Sequence, residues 1–314
     1  MSDKGWRFLG NEREYVDTVL NSGFGASESG SMNEKLETKF AKLHNKKFAI
    51  SANSGTSTLH MALKAFGVGA GDEVIIPALT VAMPGFAVWQ CGAIPVFADV
   101  SRDTFLLNPN DVEKKINSKT KAIMPVHMYG NMCDMESIMK LANIHNLFVL
   151  EDCAESLYAS NDKGQKAGTI GHVGSWSFEN SKHLSTGDGG IVATDDEKLA
   201  TIMRQFGGVG FKNITAKTGK VRISRDQFQD PKYERHNMLA YNYRLPELCA
   251  AVGLAQCERL DFFVDLRETM GLAYLETMND SDLFLPQKTE DGFRNTYWTF
   301  AARFLGNKYD ISWF

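Results

Sequence analysis

The stretch KFAISANSGTSTLHMALKAF, residues 47–66, changes its pattern in the middle. Its first part, 47–53, is short and β-rich, small residues follow, and apolar residues then recur at helical spacing over 56–66. A strand, a tight turn and a helix in this order form the unit from which α/β folds are built. The stretch therefore predicts an α/β domain.

The same unit recurs along the chain. Further β-rich runs lie at 73–79, 94–100, 121–128, 147–153, 174–180 and 190–195, and helical periods lie at 83–91, 110–116, 135–145 and 196–206. Several of the strands are apolar on both faces, which is typical of a parallel sheet covered by helices on each side. We predict a three-layer α/β/α fold around a mostly parallel, mixed sheet of seven strands.

The pattern changes in the last third of the chain. A polar insert at 207–236 precedes residues 245–279, which predict one long helix, and an apolar region near residue 304 indicates the start of a second unit. We predict a large α/β domain over 1–244 and the start of a smaller C-terminal domain over 245–314, which we expect to be incomplete.

Composition and charge limit the classes of partner. The net charge of −4 provides no basic surface, so we expect neither nucleic acid nor an anionic membrane as a partner. Residues 74–98 carry no charge, but Pro77, Pro84 and Pro95 divide them into strand, helix and strand, which argues against a membrane span. The N-terminus shows no apolar signal-peptide segment. We therefore expect a small-molecule substrate.

The spacing of the cysteines and histidines argues against disulfide bonds and metal sites. The five cysteines are scattered without a C-x-x-C pair, which favours reduced thiols in a cytoplasmic protein. The seven histidines form no H-x-x-x-H pair, so we expect no metal site. We interpret His127 as a hydrogen-bonded core residue, and Trp89, Trp176 and Trp298 as core residues.

Candidate functional residues follow three of the predicted strands, where open α/β sheets bind their ligands. The first group is Ser54-Gly55-Thr56, a small-residue turn that opens a helix and suits a phosphate, although a simple helix cap is the alternative. Asp152, at the end of its strand, could pair with a ring nitrogen or a metal, or cap the following turn. Lys182 could form a Schiff base or be an ordinary surface lysine. Pyridoxal 5'-phosphate is the cofactor that needs a phosphate seat, a carboxylate and an amine together.

Six blocks of the sequence, in order, resemble the DegT/DnrJ/StrS aminotransferase family. They are SGTSTLHMALKAFGVGAGDEVIIPALT, GAIPVFADV, PVHMYGNMCDM, LEDCAES, SFENSKHLSTGDGG and YNYRLPELCAAVGLAQCERLD. The resemblance runs from about residue 21 to the end of the chain. It implies a pyridoxal phosphate enzyme of fold type I, the fold of aspartate aminotransferase, which transfers an amino group, usually from glutamate, to a keto-sugar attached to a nucleotide.

The resemblance also implies roles for single residues. Lys182, five residues after Ser177, falls on the Schiff-base lysine, and Asp152 falls on the aspartate that pairs with the pyridine nitrogen. Glu155 takes a position near the 3'-oxygen of the cofactor. The phosphate-binding positions of the family fall on Gly55, Thr56 and Ser177. Asn242 in YNYR matches an asparagine that reaches the phosphate in the partner subunit's site, which implies a homodimer with shared active sites.

Three departures from the family pattern bear on function. Val81 stands where most members have an aromatic residue that stacks on the pyridine ring, Asp188 replaces a glutamate in a glycine-rich turn, and the sequence given stops part-way through the family's small domain. Two alternatives follow. One is a sugar dehydratase of the same family, which would carry a histidine in place of Lys182. The other is a protein that binds the cofactor without turnover.

Overall fold

The computed structural model describes residues 5–24, 31–219, 223–278 and 280–306. The α-helices in these ranges are α1 Glu12–Asn21, α2 Met32–Leu43, α3 Gly55–Ala65, α4 Met83–Gln90, α5 Pro109–Lys115, α6 Met135–His145, α7 Glu197–Gly207, α8 Arg225–Gln229, α9 Glu247–Glu258 and α10 Leu260–Met278. The strands are β1 Phe48–Ala52, β2 Glu73–Pro77, β3 Ile94–Ala98, β4 Thr120–Ile123, β5 Phe148–Asp152, β6 Val173–Ser177, β7 Gly190–Thr194, β8 Phe284–Pro286 and β9 Ala302–Phe304. Short 3-10 helices span Gly5–Phe8 and Met128–Gly130.

The first seven strands form one mixed sheet in the order β1-β7-β6-β5-β4-β2-β3. Strand β7 runs antiparallel to both of its neighbours, and the other pairs are parallel. Strands β8 and β9 form a separate antiparallel pair. The predicted seven-stranded, mostly parallel sheet is confirmed.

Helices cover both faces of the sheet. Along β2, Ile75 packs in one apolar cluster with residues of α2 and α6, whereas its neighbours Val74 and Ile76 pack in another cluster with residues of α3, α4 and α7. The alternation follows from the two-residue period of a strand, which turns successive side chains to opposite faces. Two apolar faces explain why the strands lack the polar alternation of a half-exposed sheet.

The prediction of a single helix over 245–279 is wrong. Helix α9 ends at Glu258, Arg259 takes a non-helical conformation with φ −118° and ψ 20°, and α10 begins at Leu260. Helix α9 buries small side chains such as Ala250 and Ala251 where it packs on α1 and α2, and Leu260 and Val264 at the start of α10 belong to the same apolar cluster. Helix α10 also packs against β8. The break at Arg259 occurs without a glycine or proline, so no helix-breaking residue marks it in the sequence. The proposed division at 244/245 stays a prediction.

The prediction that Trp89, on helix α4, is a core residue is also wrong. Trp176 is buried as expected, but Trp89 is 63% exposed and stacks on Phe86, with their ring centroids 6.1 Å apart. Helix α4 is apolar on all sides, so its sequence does not indicate which side chains point outward. Across the described residues, we found no helix long and apolar enough to cross a bilayer.

The topology brings the predicted site residues to one edge of the sheet. In the register of the sheet, Gly190 at the start of β7 pairs with both Ser177 at the end of β6 and Ala52 at the end of β1. Asp152 ends β5, the next strand beyond β6. The carboxyl ends of β1, β5 and β6 therefore form one edge, from which the turns that carry Gly55 and Lys182 continue.

Candidate active site

The turn between β1 and α3 has the geometry of an anion seat. Ser54 caps α3 by accepting a hydrogen bond from the backbone N–H of Ser57 at 3.1 Å. Within the described residues, the N–H groups of Gly55 and Thr56 have no acceptor. Free amides in the first turn of an 11-residue helix lie at the positive end of its dipole, where an anion is favoured. The helix cap is therefore present, and it leaves the amides of Gly55 and Thr56 free for an anion.

Gly55 and Ser177 are in close contact across the edge. A Cβ atom at position 55 would lie 2.8 Å from the Cβ of Ser177, which is closer than side chains pack. Glycine is therefore required at this position by the close approach of β6. The contact places the hydroxyl of Ser177 beside the free amides, so the three residues expected to bind phosphate lie together.

Asp152 is a buried carboxylate at the end of β5. Its side chain accepts a hydrogen bond from the N–H of Ala154 at 3.0 Å, and the residue is 2% exposed. Burial raises the pKa of Asp152 to about 6, since it and the nearby charge of Glu155 outweigh the hydrogen bond from Ala154 and the attraction of Lys182. A carboxylate buried in this way is stabilised by a cation, such as a protonated ring nitrogen.

Glu151, the residue before Asp152, is fixed by buried hydrogen bonds. Glu151 is fully buried and accepts hydrogen bonds from three backbone N–H groups of the loop at 168–171 and from Nε2 of His127 at 3.0 Å. His127 Nδ1 accepts from the N–H of Cys133 at 3.0 Å, so Nε2 carries the hydrogen that Glu151 receives. The interpretation of His127 as a hydrogen-bonded core residue is confirmed. Glu151 fixes the end of β5 and so the position of Asp152.

A buried histidine, a glutamate and a cysteine near the end of β5 have the side chains of possible metal ligands. The ligand atoms of His127, Glu151 and Cys153 lie within 4.8 Å of one another. Both ring nitrogens of His127 and both carboxylate oxygens of Glu151 already have hydrogen-bond partners, and burial raises the pKa of the Cys153 thiol to about 12. Hydrogen bonding therefore explains why these side chains lie together, and the cluster stabilises the end of β5.

Lys182 points into the same edge. Its Nζ lies 3.5 Å from Oε1 of Glu155, and both side chains are largely buried. Glu155 Oε2 accepts a hydrogen bond from the N–H of Tyr129 at 3.0 Å, which fixes the carboxylate. Tyr129 has φ +65°, a conformation that non-glycine residues rarely adopt. The amine and the second carboxylate of the site are thus held as a pair beside Asp152.

The backbone around Lys182 is held by side chains that the sequence did not indicate. Arg7 donates to the carbonyl groups of Asn180 and Lys182, while Arg267 Nη2 and Trp298 Nε1 donate to the carbonyl of Ser181 at 2.7 and 3.2 Å. They come from the N-terminal 3-10 helix, α10 and the segment after it. The prediction that Trp298 is a core residue is wrong, because its ring is half-buried and faces Lys182. No local pattern in the sequence connects residues so far apart.

Two other predicted features lie at the margin of the site. Val81 is 40% exposed, and the preceding Thr80 has a buried hydroxyl oxygen without a hydrogen-bond partner among the described residues. Asn242 is exposed and its side chain makes no hydrogen bond within the described part of the chain. The backbone beside it is fixed, because the carbonyl of Tyr243 accepts from the N–H of Asn53 at 2.8 Å.

These residues fit pyridoxal 5'-phosphate. The free amides of Gly55 and Thr56 with the Ser177 hydroxyl would hold the phosphate, and the buried carboxylate of Asp152 would hold the protonated ring nitrogen. The amine of Lys182 would bind the aldehyde. A phosphate seat, a carboxylate and an amine at the carboxyl ends of β1, β5 and β6 are the set that this cofactor requires.

Gly55→Ala is expected to weaken cofactor binding about tenfold, the effect of roughly 1 to 2 kcal/mol of overpacking. The new methyl group would push against Ser177 and separate the hydroxyl from the free amides. Titration of the cofactor-free protein with pyridoxal phosphate, followed by absorbance, measures this. Gly69→Ala is the matched control, since a Cβ at Gly69 meets no atom within 4 Å. Equal affinities for the two variants would contradict the assignment of the phosphate seat.

Comparison with known proteins gives one family. A model of the DegT/DnrJ/EryC1/StrS aminotransferase family matches residues 9–309. Over 289 residues the chain is 39% identical to the GDP-perosamine synthase of Escherichia coli O157:H7, and the match covers 92% of this chain and 74% of that protein.

Solved structures give the same answer. The aminotransferase from Psychrobacter cryohalolentis has a TM-score of 0.83 and 30% identity, over 98% of this chain and 78% of its own. A GDP-4-keto-6-deoxymannose-3-dehydratase with pyridoxal phosphate and glutamate trapped in it has a TM-score of 0.83 and 26% identity, over 94% of this chain and 77% of its own. The expected fold type I architecture is confirmed.

Proposed function

Because the chain belongs to the DegT/DnrJ/EryC1/StrS aminotransferase family and is a pyridoxal-phosphate-dependent sugar aminotransferase, we propose that it aminates a keto-sugar carried on a nucleotide, with glutamate as the amino donor. The observation that carries this function is the convergence of Lys182, Asp152 and the free amides of Gly55 and Thr56 on one sheet edge. The amino acceptor is inferred from the relatives. A guanosine diphosphate sugar is the first to test, since the curated relative from Escherichia coli is a GDP-perosamine synthase.

The chain's own residues supply binding and proton transfer. When bound, pyridoxal phosphate supplies an aldehyde that captures amines and a ring that accepts an electron pair. Asp152 keeps a proton on the ring nitrogen, because the buried carboxylate is stabilised by that positive charge. Lys182 Nζ, once free, takes the proton from the α-carbon of the donor amino acid and returns a proton to the carbon of the acceptor. Glu155 orients this amine from 3.5 Å.

The dehydratase of the same family is the weaker candidate. In that enzyme class a histidine is expected in place of the lysine, and the neighbouring His183 is the only histidine at this turn of the described chain. Its ring is buried away from the site, since Nε2 donates to the carbonyl of Thr296 at 2.9 Å, and burial lowers its pKa to about 3. His183 is therefore held as a structural link, and Lys182 supplies the reactive group.

The function is tested with the purified protein and its cofactor. Excess glutamate should convert the bound pyridoxal phosphate to its amine form with release of 2-oxoglutarate. Adding a GDP-linked keto-sugar should then regenerate the aldehyde form and give an amino-sugar in equal amount. A protein that reacts with glutamate but with no nucleotide-linked keto-sugar would contradict the proposed acceptor, and one that does not react with glutamate would contradict the donor.

We also propose a cytoplasmic homodimer with shared active sites, in which Asn242 reaches the phosphate of the partner subunit's site. The free, mostly buried cysteines support a reducing compartment. The exposed position of Asn242, on a backbone fixed to the residue that precedes the phosphate turn, supports a contact across a subunit boundary.

Complementation tests the shared site. Lys182→Ala and Asn242→Ala chains that are inactive alone should regain activity when co-expressed, because a mixed dimer holds one site with both native residues. Random pairing would restore about a quarter of the wild-type activity. The mixed dimers can be isolated with two different affinity tags. Mixed dimers as inactive as the parents would show that Asn242 acts within its own chain, and an active Asn242→Ala parent would show that it has no role.

A further inference from the structure

Lys182 is enclosed on two sides. Its Nζ lies 4.0 Å from the centroid of the Trp298 ring and 3.5 Å from Oε1 of Glu155. An ammonium group over the face of an indole ring is attracted by the ring's negative face. The reactive nitrogen is therefore held between a carboxylate and an aromatic face.

The ring of Trp298 is itself fixed relative to the Lys182 turn. Its Nε1 donates to the carbonyl of Ser181 at 3.2 Å, and its own carbonyl accepts from Arg267 Nη1 at 2.5 Å. Arg267 also donates to Ser181 through Nη2 at 2.7 Å. These bonds lock the indole to the residue before Lys182, so the ring keeps a constant position under the amine.

Trp298 also closes one side of the site. It lines a mostly apolar cavity of about 350 Å³ between α10 and the segment 297–300, together with Met270, Tyr274 and Tyr297. The Lys182 amine therefore meets an aromatic wall on the side of the C-terminal unit. A lysine side chain in water samples many rotamers and loses that freedom when it reacts, so a wall that already holds it lowers the cost of reaction.

We propose that Trp298 is a positioning residue that holds the Lys182 amine, through the face of its ring, in the place from which the amine captures the cofactor's aldehyde. The proposal rests on the proposed function, because it needs Lys182 to be the reactive amine. It assigns to the segment after α10 a direct part in the site. It also separates two stages of cofactor binding, since the phosphate and ring contacts do not involve Trp298 and the covalent capture does.

The test compares two forms of the cofactor on cofactor-free protein. The rate of the absorbance change of pyridoxal phosphate depends both on noncovalent binding of the cofactor and on its covalent capture by Lys182. Pyridoxamine phosphate has no aldehyde, so its affinity measures the noncovalent binding alone. We expect Trp298→Leu to slow capture about tenfold, because the uncharged amine that attacks the aldehyde loses the wall that restricts its side chain, and a lysine regains about 1.5 kcal/mol of rotamer freedom. The affinity for pyridoxamine phosphate should stay within about twofold of wild type. Trp298→Phe keeps an aromatic face and should retain capture within about threefold of wild type.

The control variant is Tyr274→Leu, which removes an aromatic side chain from the same cavity without touching Lys182. It should leave both measurements unchanged. Unchanged capture in Trp298→Leu would overturn the proposal, as would an equal loss of affinity for both cofactor forms, which indicates a distorted site. Equal impairment of the Phe and Leu variants would assign the effect to the indole N–H and overturn the role of the ring. A wild-type protein without Lys182-dependent absorbance would refute the proposed function first, and this proposal with it.

Discussion

Lys182→Ala should abolish transamination, with a fall in kcat of about 10³-fold or more, because the variant loses both the amine that captures the cofactor and the base that moves the proton. The hydrogen bonds that hold the two carboxylates of the site do not involve Lys182, so we expect them to persist in this variant. Glu155 keeps its bond to the N–H of Tyr129, and Asp152 keeps its bond to Ala154. The loss should therefore be chemical and not a consequence of unfolding.

Three measurements distinguish these causes. Turnover of glutamate should disappear, the absorbance band of the covalently bound cofactor should not form, and pyridoxamine phosphate should still bind with an affinity near that of the wild type. Lys140→Ala, which removes an exposed lysine on α6, is the matched control and should behave as wild type. Substantial turnover in Lys182→Ala would remove this residue from the mechanism.

The sheet was predictable from the sequence because its strands are short, apolar on both faces and separated by helical periods. The break between α9 and α10 was not, since Arg259 is an ordinary helix former and no glycine or proline lies at the junction. The exposed side chains of α4 could not be predicted either, because the sequence of a helix that is apolar on all sides does not indicate which side faces solvent.

The site was predictable to the extent that it lies on strand ends. Asp152 and Ser177 end their strands, and Gly55 and Lys182 follow theirs, so strands whose carboxyl ends share one edge of the sheet bring the four residues together. The surroundings of Lys182 could not be predicted in this way. Its partners Arg7 and Trp298 lie at opposite ends of the chain, and only the folded structure shows that both hold the turn on which the lysine lies.

Asp152→Asn should lower kcat by about 10²- to 10⁴-fold, in line with a cost of about 3 to 5 kcal/mol for removing one member of a buried ion pair. Asparagine can still accept the hydrogen bond from Ala154, but it cannot hold the proton on the ring nitrogen of the cofactor. The same variant should make the cofactor-free protein more stable at neutral pH. The two effects have opposite signs because they come from the same buried negative charge.

The sign of the stability effect follows from the pKa of Asp152. Burial raises it to about 6 in the folded protein from 3.8, so the folded state binds the proton more tightly than the unfolded chain. The resulting contribution to the free energy of unfolding is complete below pH 3.8 and is lost as the pH rises through 6, a difference of about 3 kcal/mol for this one group. An asparagine side chain at this position does not titrate, so the cofactor-free Asp152→Asn protein should be the more stable one at pH 8, with a smaller difference near pH 4.

Urea unfolding of the cofactor-free proteins at the two pH values measures this difference. Asp195→Asn is the control of opposite sign. Burial alone would raise the pKa of Asp195, but hydrogen bonds from Lys46 and from the N–H of Lys47 outweigh it and lower the pKa, so its stabilising contribution is present at pH 8 and lost in acid. That variant should be slightly less stable at pH 8 and fully active. If Asp152→Asn proved less stable at pH 8 as well, the buried carboxylate would be a structural anchor, and a role for its charge in holding the cofactor would lose this support. If the variant proved more stable and inactive, the charge of Asp152 would destabilise the cofactor-free protein and be needed for activity. This is the result expected for a carboxylate that binds a protonated ring nitrogen.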